Sequence, residues 1–217
     1  MTNTVELLKH FGDDKNHVDV ARVSFGKEAE NYTEEQNAKL IKYLVKHGHT
    51  SPFRHSTLQF RIKVPIYVER QIFKHQIGIS VNSISGRYVD FSDSYYKIEQ
   101  FRTQSKSSKQ GSGEDLNHND NRLAQIKQER VIQTCKQAYQ ELIDLGVSKE
   151  QARSVLPLSL ETEFIWTGTF LAFVHLCNLR LKEDTQKETR DIVTEMLQLV
   201  KNIEGNPFKE TIKAFNL

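Results

Sequence analysis

The chain has 217 residues, enough for one well-buried domain and cramped for two. Apolar residues make up 37% of it, and 12 Phe with 7 Tyr exclude wholesale disorder. Lys and Arg total 30 against 28 Asp and Glu, so the net charge of +2 falls far short of the excess that sequence-independent nucleic-acid binding needs.

In chain order, Thr33 followed by Gln36 has the pattern of a capping box, and Leu40, Ile41, Leu44 and Val45 recur at helical spacing before a glycine stop at Gly48. The run HSTLQFRIKV alternates, with Leu58, Phe60, Ile62 and Val64 on one side, and predicts a half-buried strand. Pro65 suits a helix N-terminus, and the following PIYVERQIFKHQ predicts a helix offering Ile66, Ile72, Phe73 and Ile77 for burial. SVNSISGRY breaks that pattern, and VDFSDSYYKI can return as a strand. Residues 103–121 contain one large apolar side chain, Leu116, and are expected to form a mobile loop.

The second half reads as helical. Leu123, Ile126, Cys135, Ala138, Tyr139, Leu142 and Leu145 can share a face, and Ser148 with Gln151 repeats the capping-box pattern. ETEFIWTGTFLAFVHLCNLR is apolar nearly all round, as a helix buried in the domain or at a subunit contact would be. A last amphipathic helix carries Ile192, Met196, Leu199, Val200 and Ile203 and stops at Gly205 and Pro207. The expected fold class is α+β, one domain over residues 1–217 with a helical second half.

Cys135 and Cys177 are the only cysteines, which supports neither a disulfide framework nor a cysteine zinc site and suits a cytoplasmic protein. No segment approaches the roughly 18 apolar residues of a membrane span. His47, His49 and His55 lie close in sequence without an acidic or cysteine ligand, so no metal is expected. GxSxG, the P-loop and GxGxxG are all missing. What stands out is RQIFKHQIGISVNSISGRY, residues 70–88, where amide and cationic groups lead into a Ser/Asn/Gly loop ending in Arg87. Backbone N–H groups, serine hydroxyls and a guanidinium can together surround a phosphate, although a solvated polar turn has the same composition. Arg153 and Arg180 sit among apolar residues, where a cation needs an anionic partner; a structural carboxylate is the plain alternative to a ligand.

The tract resembles the signature of the flavin-dependent thymidylate synthases, Arg-His-Arg, seven or eight residues, then Ser and a Gly/Ala-Arg-Tyr ending. Here Lys74-His75-Gln76 stands at Arg-His-Arg, followed after eight residues by Ser85, Gly86, Arg87 and Tyr88. ARVSFGKE, GHTSPFRH, PIYVERQ, ARSVLPL and NLR agree in order and spacing, so the resemblance spans most of the chain. It implies an antiparallel sheet with a helical second half and reductive methylation of dUMP to dTMP. The carbon donor is methylenetetrahydrofolate, the reductant NADPH and the bound cofactor FAD. It also implies a homotetramer whose active sites draw on several subunits, with no role for membrane or nucleic acid. The apolar run at 161–177 agrees with such an assembly.

By position, the resemblance assigns dUMP to Gln71, Lys74, Ser83, Ser85, Gly86, Arg87, Arg153 and Arg180. Arg153 would reach over from another subunit, and Arg180 would act catalytically by helping to ionise N3 of the pyrimidine. It assigns FAD to His49, Ser51, Lys74, His75, Gln76, Ser83 and His175. Lys74 and Gln76 depart from the signature arginines, Ser83 from a usual glutamate, Thr169, Leu171 and His175 from the family's Asn, Arg and Asn, and Asp184 from a common histidine. The departures predict a looser hold on FAD. Two other functions share the residues: a different C5 modification such as hydroxymethylation, or a non-catalytic nucleotide binder using QSKSSKQGS as a cationic segment. That segment can also serve as a lid supplying Lys106 or Gln110.

Overall fold

The structure is a computed structural model and describes residues 4–88, 94–106 and 111–217. Its elements are β1 (Thr4–Phe11), α1 (Asp14–Arg22), α2 (Glu34–Lys46), β2 (Thr57–Pro65), α3 (Ile66–Ile72), β3 (Ile79–Ser83), β4 (Arg102–Gln104), β5 (Ser112–Asp115), α4 (His118–Asp144), α5 (Lys149–Ala152), β6 (Glu161–Thr169), α6 (Phe170–Arg180), α7 (Lys187–Lys201) and α8 (Lys209–Ala214). The class is α+β: an antiparallel sheet in the order β1-β2-β6-β3, backed by helices, with a separate β4-β5 hairpin.

Alternation in β2 sends Leu58, Phe60, Ile62 and Val64 into the core, where the facing positions of β6 are Gly168, Trp166, Phe164 and Thr162. Residues of α3, α6 and α7, including Val68, Phe173, Ile192 and Met196, complete that cluster. The opposite face is polar, with Gln59 donating to Thr167 at 3.0 Å and Arg61 paired to Glu6 at 2.9 Å. Gly168 has a packing reason. A Cβ there would lie 2.4 Å from the Trp166 ring, an overlap that costs about 1–3 kcal/mol to relieve.

Several expectations hold. Thr33 and Gln36 form the reciprocal capping box of α2, and Gly48 takes a φ of 70° just beyond its end. Ile192, Met196 and Val200 point inward from α7.

Others are corrected. The apolar run 161–180 is not one helix: its first part is the central strand β6, and α6 begins only after Thr169, whose hydroxyl caps Ala172 N–H at 3.1 Å. Both parts are buried within this chain, so their apolar character does not by itself call for a subunit contact. The helix after Pro65 stops at Ile72 instead of running on to Gln76, and Ile77 is 86% exposed. The 103–121 stretch holds most of the β4-β5 hairpin and the start of α4, capped by Asn117, while residues 107–110 lie outside the described residues. Of the VDFSDSYYKI strand, residues 89–93 also lie outside them, and Tyr95 makes a single bridge to Leu160. On α4, Ile132 and Tyr139 are buried, whereas Leu123, Ile126 and, just past the helix end, Leu145 are exposed. The Ser148 side chain makes no cap bond; Gln151 N–H donates to the Ser148 main-chain oxygen instead.

Candidate functional site

The 73–78 segment is laid against the β6–α6 junction. His75 N–H donates to Ile72 O at 3.1 Å, and Thr169 N–H donates to Gly78 O at 2.9 Å. Gly78 needs a φ of 74°, and a Cβ there would meet the Thr169 hydroxyl at 2.9 Å. The sharp turn therefore places Lys74, His75 and Gln76 beside α6, which carries His175 and ends at Arg180.

Arg180 is the centre of this cluster. Its Nε–H donates to His75 Nε2 at 3.0 Å and its Nη2 donates to the main-chain oxygen of Gln71 at 2.9 Å. Burial lowers Arg180 from the ordinary guanidinium value. Among the described residues no carboxylate pairs with it, so a half-buried cation rests on two neutral acceptors. The structural-carboxylate explanation does not apply. His75 is pushed below the ordinary imidazole value by burial first, then by Arg180 and His175. A bare Nε2 facing a guanidinium N–H is consistent with that direction.

A second group gathers at the end of β3. Tyr88 N–H donates to Ser85 O at 3.0 Å, closing a turn that holds Gly86 and Arg87, and Arg87 N–H reaches Ser85 Oγ at 3.3 Å. An open cleft of about 570 Å³ is lined there by Ser83, Ser85, Arg87, Glu150, Gln151 and Arg153. Arg153, expected to reach in from another subunit, thus lines the same cleft as Arg87 within one chain. Its only side-chain bond among the described residues goes to Glu150 O at 3.3 Å, and Arg87 stacks 5.2 Å from the Tyr88 ring. Among the described residues neither guanidinium is paired to a carboxylate, and two such cations beside a serine hydroxyl can bind an anion. The Ser83 hydroxyl donates to Glu69 Oε1 at 3.2 Å. Burial raises the Glu69 carboxyl above its ordinary value, with the Ser83 bond acting against that shift.

Among the described residues, His49 and Ser51 share no hydrogen bond with either group. His49 lies edge-on to Tyr43 at 6.0 Å, and the 51–54 turn packs against α6 and α1. The described residues contain no group of three or more His, Cys, Asp or Glu able to hold a metal. No described helix is long and apolar enough to cross a membrane. Lys106 is exposed, and Lys109 and Gln110 lie outside the described residues.

The residues on the 74–78 segment suit a planar, anionic cofactor. Lys74 and Gln76 are exposed with no partner among the described residues, the exposed imidazole of His175 lies near His75, and Ile77 adds exposed apolar surface. Leu171 does not belong to that set. It is 3% exposed and packs with Val18, Ile41, Leu44 and Phe53.

Four polar residues outside the sequence assignment complete the neighbourhood. Gln71 Nε2 donates to Gln186 Oε1, and Thr189 Oγ donates to Gln71 Oε1 at 3.1 Å. Gln186 in turn donates to Glu188, which pairs with Arg102 at 2.6 Å. Extending the apolar face of α7 back one turn from Ile192 lands on Glu188 and Thr189, which is the signal that marks them as inward-facing.

Comparison with known proteins identifies the family and the fold. The family model described as thymidylate synthase complementing protein matches residues 6–204. A flavin-dependent thymidylate synthase from Kosmotoga olearia is 41% identical over 202 residues, covering 91% of this chain and 85% of that protein. One from Thermus thermophilus is also 41% identical, over 197 residues, covering 91% and 71%. Among solved structures, the UMP/dUMP methylase PolB from Streptomyces cacaoi, bound with 5-Br dUMP, superposes with a TM-score of 0.86 at 27% identity, covering 99% of this chain and 94% of the other. With a family model spanning nearly its whole length and relatives at this identity, the chain belongs to the flavin-dependent thymidylate synthase family.

Proposed function

We propose that the protein is a flavin-dependent thymidylate synthase: it converts dUMP to dTMP, taking a one-carbon unit from methylenetetrahydrofolate and reducing equivalents from NADPH. The observation that carries the reading is Arg180, a half-buried cation whose described partners are both neutral. Negative charge developing on N3 and the adjacent carbonyl oxygens of uracil would meet a positive charge already fixed in place, which lowers the barrier without reorganisation. Gln71, bonded to Arg180 through its main-chain oxygen, and Lys74 hold the nucleotide beside it. Ser83, Ser85, Arg87 and Arg153 receive the phosphate in the cleft they line, with Gly86 in the turn between Ser85 and Arg87. That a family-like fold has been crystallised with a dUMP analogue supports this placement.

Lys74, His75, Gln76, Ser83, His175, His49 and Ser51 would hold FAD, which would supply the hydride chemistry that links NADPH to the nucleotide. His75, kept neutral, presents an uncharged ring to the cofactor while Arg180 retains its charge. The same reading takes the enzyme as a cytoplasmic homotetramer; Leu123, Ile126 and Val131, exposed along α4, are apolar surface that assembly would cover. Folate and the partner subunits complete the site.

The test is to incubate the purified protein with FAD, NADPH, methylenetetrahydrofolate and dUMP and to weigh the nucleotide by mass spectrometry. A product heavier than dUMP by one CH2 is expected. Unchanged dUMP, or a hydroxymethylated product, would overturn the reading.

A further inference from the structure

Gln71 is held from two directions. Its main chain supports Arg180, while its side-chain amide is engaged by α7, with Nε2 donating to Gln186 Oε1 and Oε1 accepting from the Thr189 hydroxyl at 3.1 Å. Behind these lies Glu188, only 4% exposed, in the first turn of α7. Its Oε2 accepts from Gln186 Nε2 at 2.9 Å and its Oε1 from Arg102 Nη2 at 2.6 Å. The ring of Tyr67, one turn before Gln71, stands 6.3 Å from that of Tyr96.

An ionised carboxylate accepts hydrogen bonds and donates none. Facing Glu188, Gln186 must therefore turn its NH2 group toward the carboxylate, which leaves its oxygen for Gln71. Gln71 must then offer its own NH2 group to that oxygen, and its oxygen is left for the Thr189 hydroxyl. Without an acceptor-only group at one end, both amides could reverse together with little loss, because an amide presents a donor and an acceptor of similar shape. We propose that Glu188 is a positioning residue that sets the direction of the Gln71 side-chain amide, acting through Gln186, and thereby tunes nucleotide binding. The functional half of this proposal rests on Gln71 contacting dUMP.

Keeping Glu188 ionised is what the surroundings achieve. Burial works against its charge, but bonds from Arg102 and Gln186 and a main-chain N–H outweigh that and hold the carboxyl below its ordinary range. The pair also ties β4, where Arg102 stands, to α7. A carboxylate serving packing alone would not need its second oxygen directed at an amide that leads to Gln71.

The test uses 15N-labelled full-length protein with three forms: wild type, Glu188→Gln, and Glu188→Gln combined with Gln186→Glu. Glu188→Gln is nearly isosteric and preserves the packing, whereas the double variant returns an acceptor-only group to the position beside Gln71. Two measurements are made: hydrogen exchange of the Gln71 side-chain NH2, assigned by its loss in Gln71→Leu and read without nucleotide, and KM and kcat for dUMP. Glu188→Gln should speed the Gln71 exchange and raise KM by about tenfold each, with kcat within about threefold, as loss of one oriented hydrogen bond implies. The double variant should recover most of both. Unchanged exchange in Glu188→Gln, a fall in kcat with KM unaltered, or a double variant no better than the single one would each overturn the proposal. If wild type fails to turn over dUMP, the assigned reaction falls while the exchange measurements still decide whether Glu188 orients Gln71.

Discussion

Arg180 Nε–H donates to His75 Nε2 across 3.0 Å, so the imidazole accepts from a cation and keeps its own proton on Nδ1. Its depressed pKa follows from burial and from Arg180, and the pair stays intact to a pH below the ordinary histidine range. The guanidinium is therefore held in one orientation by His75 and the Gln71 main chain.

Arg180→Ala should lower kcat by about 10²–10³-fold, the scale of losing one preorganised electrostatic donor, and change the Kd for dUMP much less. Steady-state kinetics together with equilibrium dialysis of dUMP separate the two. Turnover within threefold of wild type would reject the catalytic assignment.

Arg87→Ala and Arg153→Ala should each weaken dUMP binding by about 1.5–3 kcal/mol, the loss of a charge-assisted hydrogen bond to phosphate. Deoxyuridine, which lacks the phosphate, should bind the variants and wild type alike. Calorimetric titration with both ligands checks this. Equal losses for the two ligands would remove the phosphate from the cleft.

FAD should bind more weakly than a complete Arg-His-Arg signature would allow, because Gln76 lacks the charge and Lys74 the planar fork of arginine. Gln76 is exposed, so Gln76→Arg should tighten FAD, by about 1.5–3 kcal/mol if a charge-assisted contact forms. Leu171→Arg should not. Its side chain would enter the cluster of Val18, Ile41 and Phe53, and an unpaired buried charge costs about 3–5 kcal/mol of stability. FAD titration and thermal melts of the two variants test the contrast; a stable Leu171→Arg protein with tighter FAD would place Leu171 at the cofactor.

His17 predicts an acid-labile fold. It is buried between Phe53, Phe170 and Phe208, bonded to Thr211 at 2.9 Å, and pushed down to about 4 by burial and by His55. The unfolded chain takes up this proton near 6.5 and the folded one only near 4, so stability falls as pH drops through that window, by about 3 kcal/mol in all. Asp14, bonded to Thr211 and raised by burial, acts in the opposite sense near the acid end. Urea melts from pH 7.5 to 4 should show the loss. In His17→Gln the slope should flatten, and an unchanged slope would assign it to other groups.

Much of the site was legible in the sequence because its residues are close along the chain: Gln71 through Arg87 form one tract, and the short Ser85–Tyr88 turn brings Ser85 and Arg87 together locally. The partners from α7 were not legible, since what brings Gln186, Glu188 and Thr189 to Gln71 is the packing of one helix against another across more than a hundred positions. For the same reason, the sequence resemblance brought Arg153 to the site of Arg87 from another subunit and could not show that the two line one cleft of a single chain.

Among the elements, β2 and α7 could be read in advance because each buries one face, leaving a period of two in the strand and a helical period in α7. The capping box of α2 is equally local, needing only Thr33 and Gln36. β6 and α6 could not be separated that way. α6 is buried nearly all round, and β6 carries Ile165 on its polar side beside an apolar helix, so neither shows a clear period. Only pairing with β2 and β3 on its two edges makes residues 161–169 a strand. The β4-β5 hairpin likewise depends on distant support, from the Arg102 pair with Glu188 and the Asn121 side chain bonded to Phe101 N–H and Glu99 O, because its own residues bury too little to hold it. Local periodicity and capping were fixed by which residues stand near one another in the chain; strand pairing, the burial of Leu171 and the orientation of Gln71 depended on neighbours that only folding supplies.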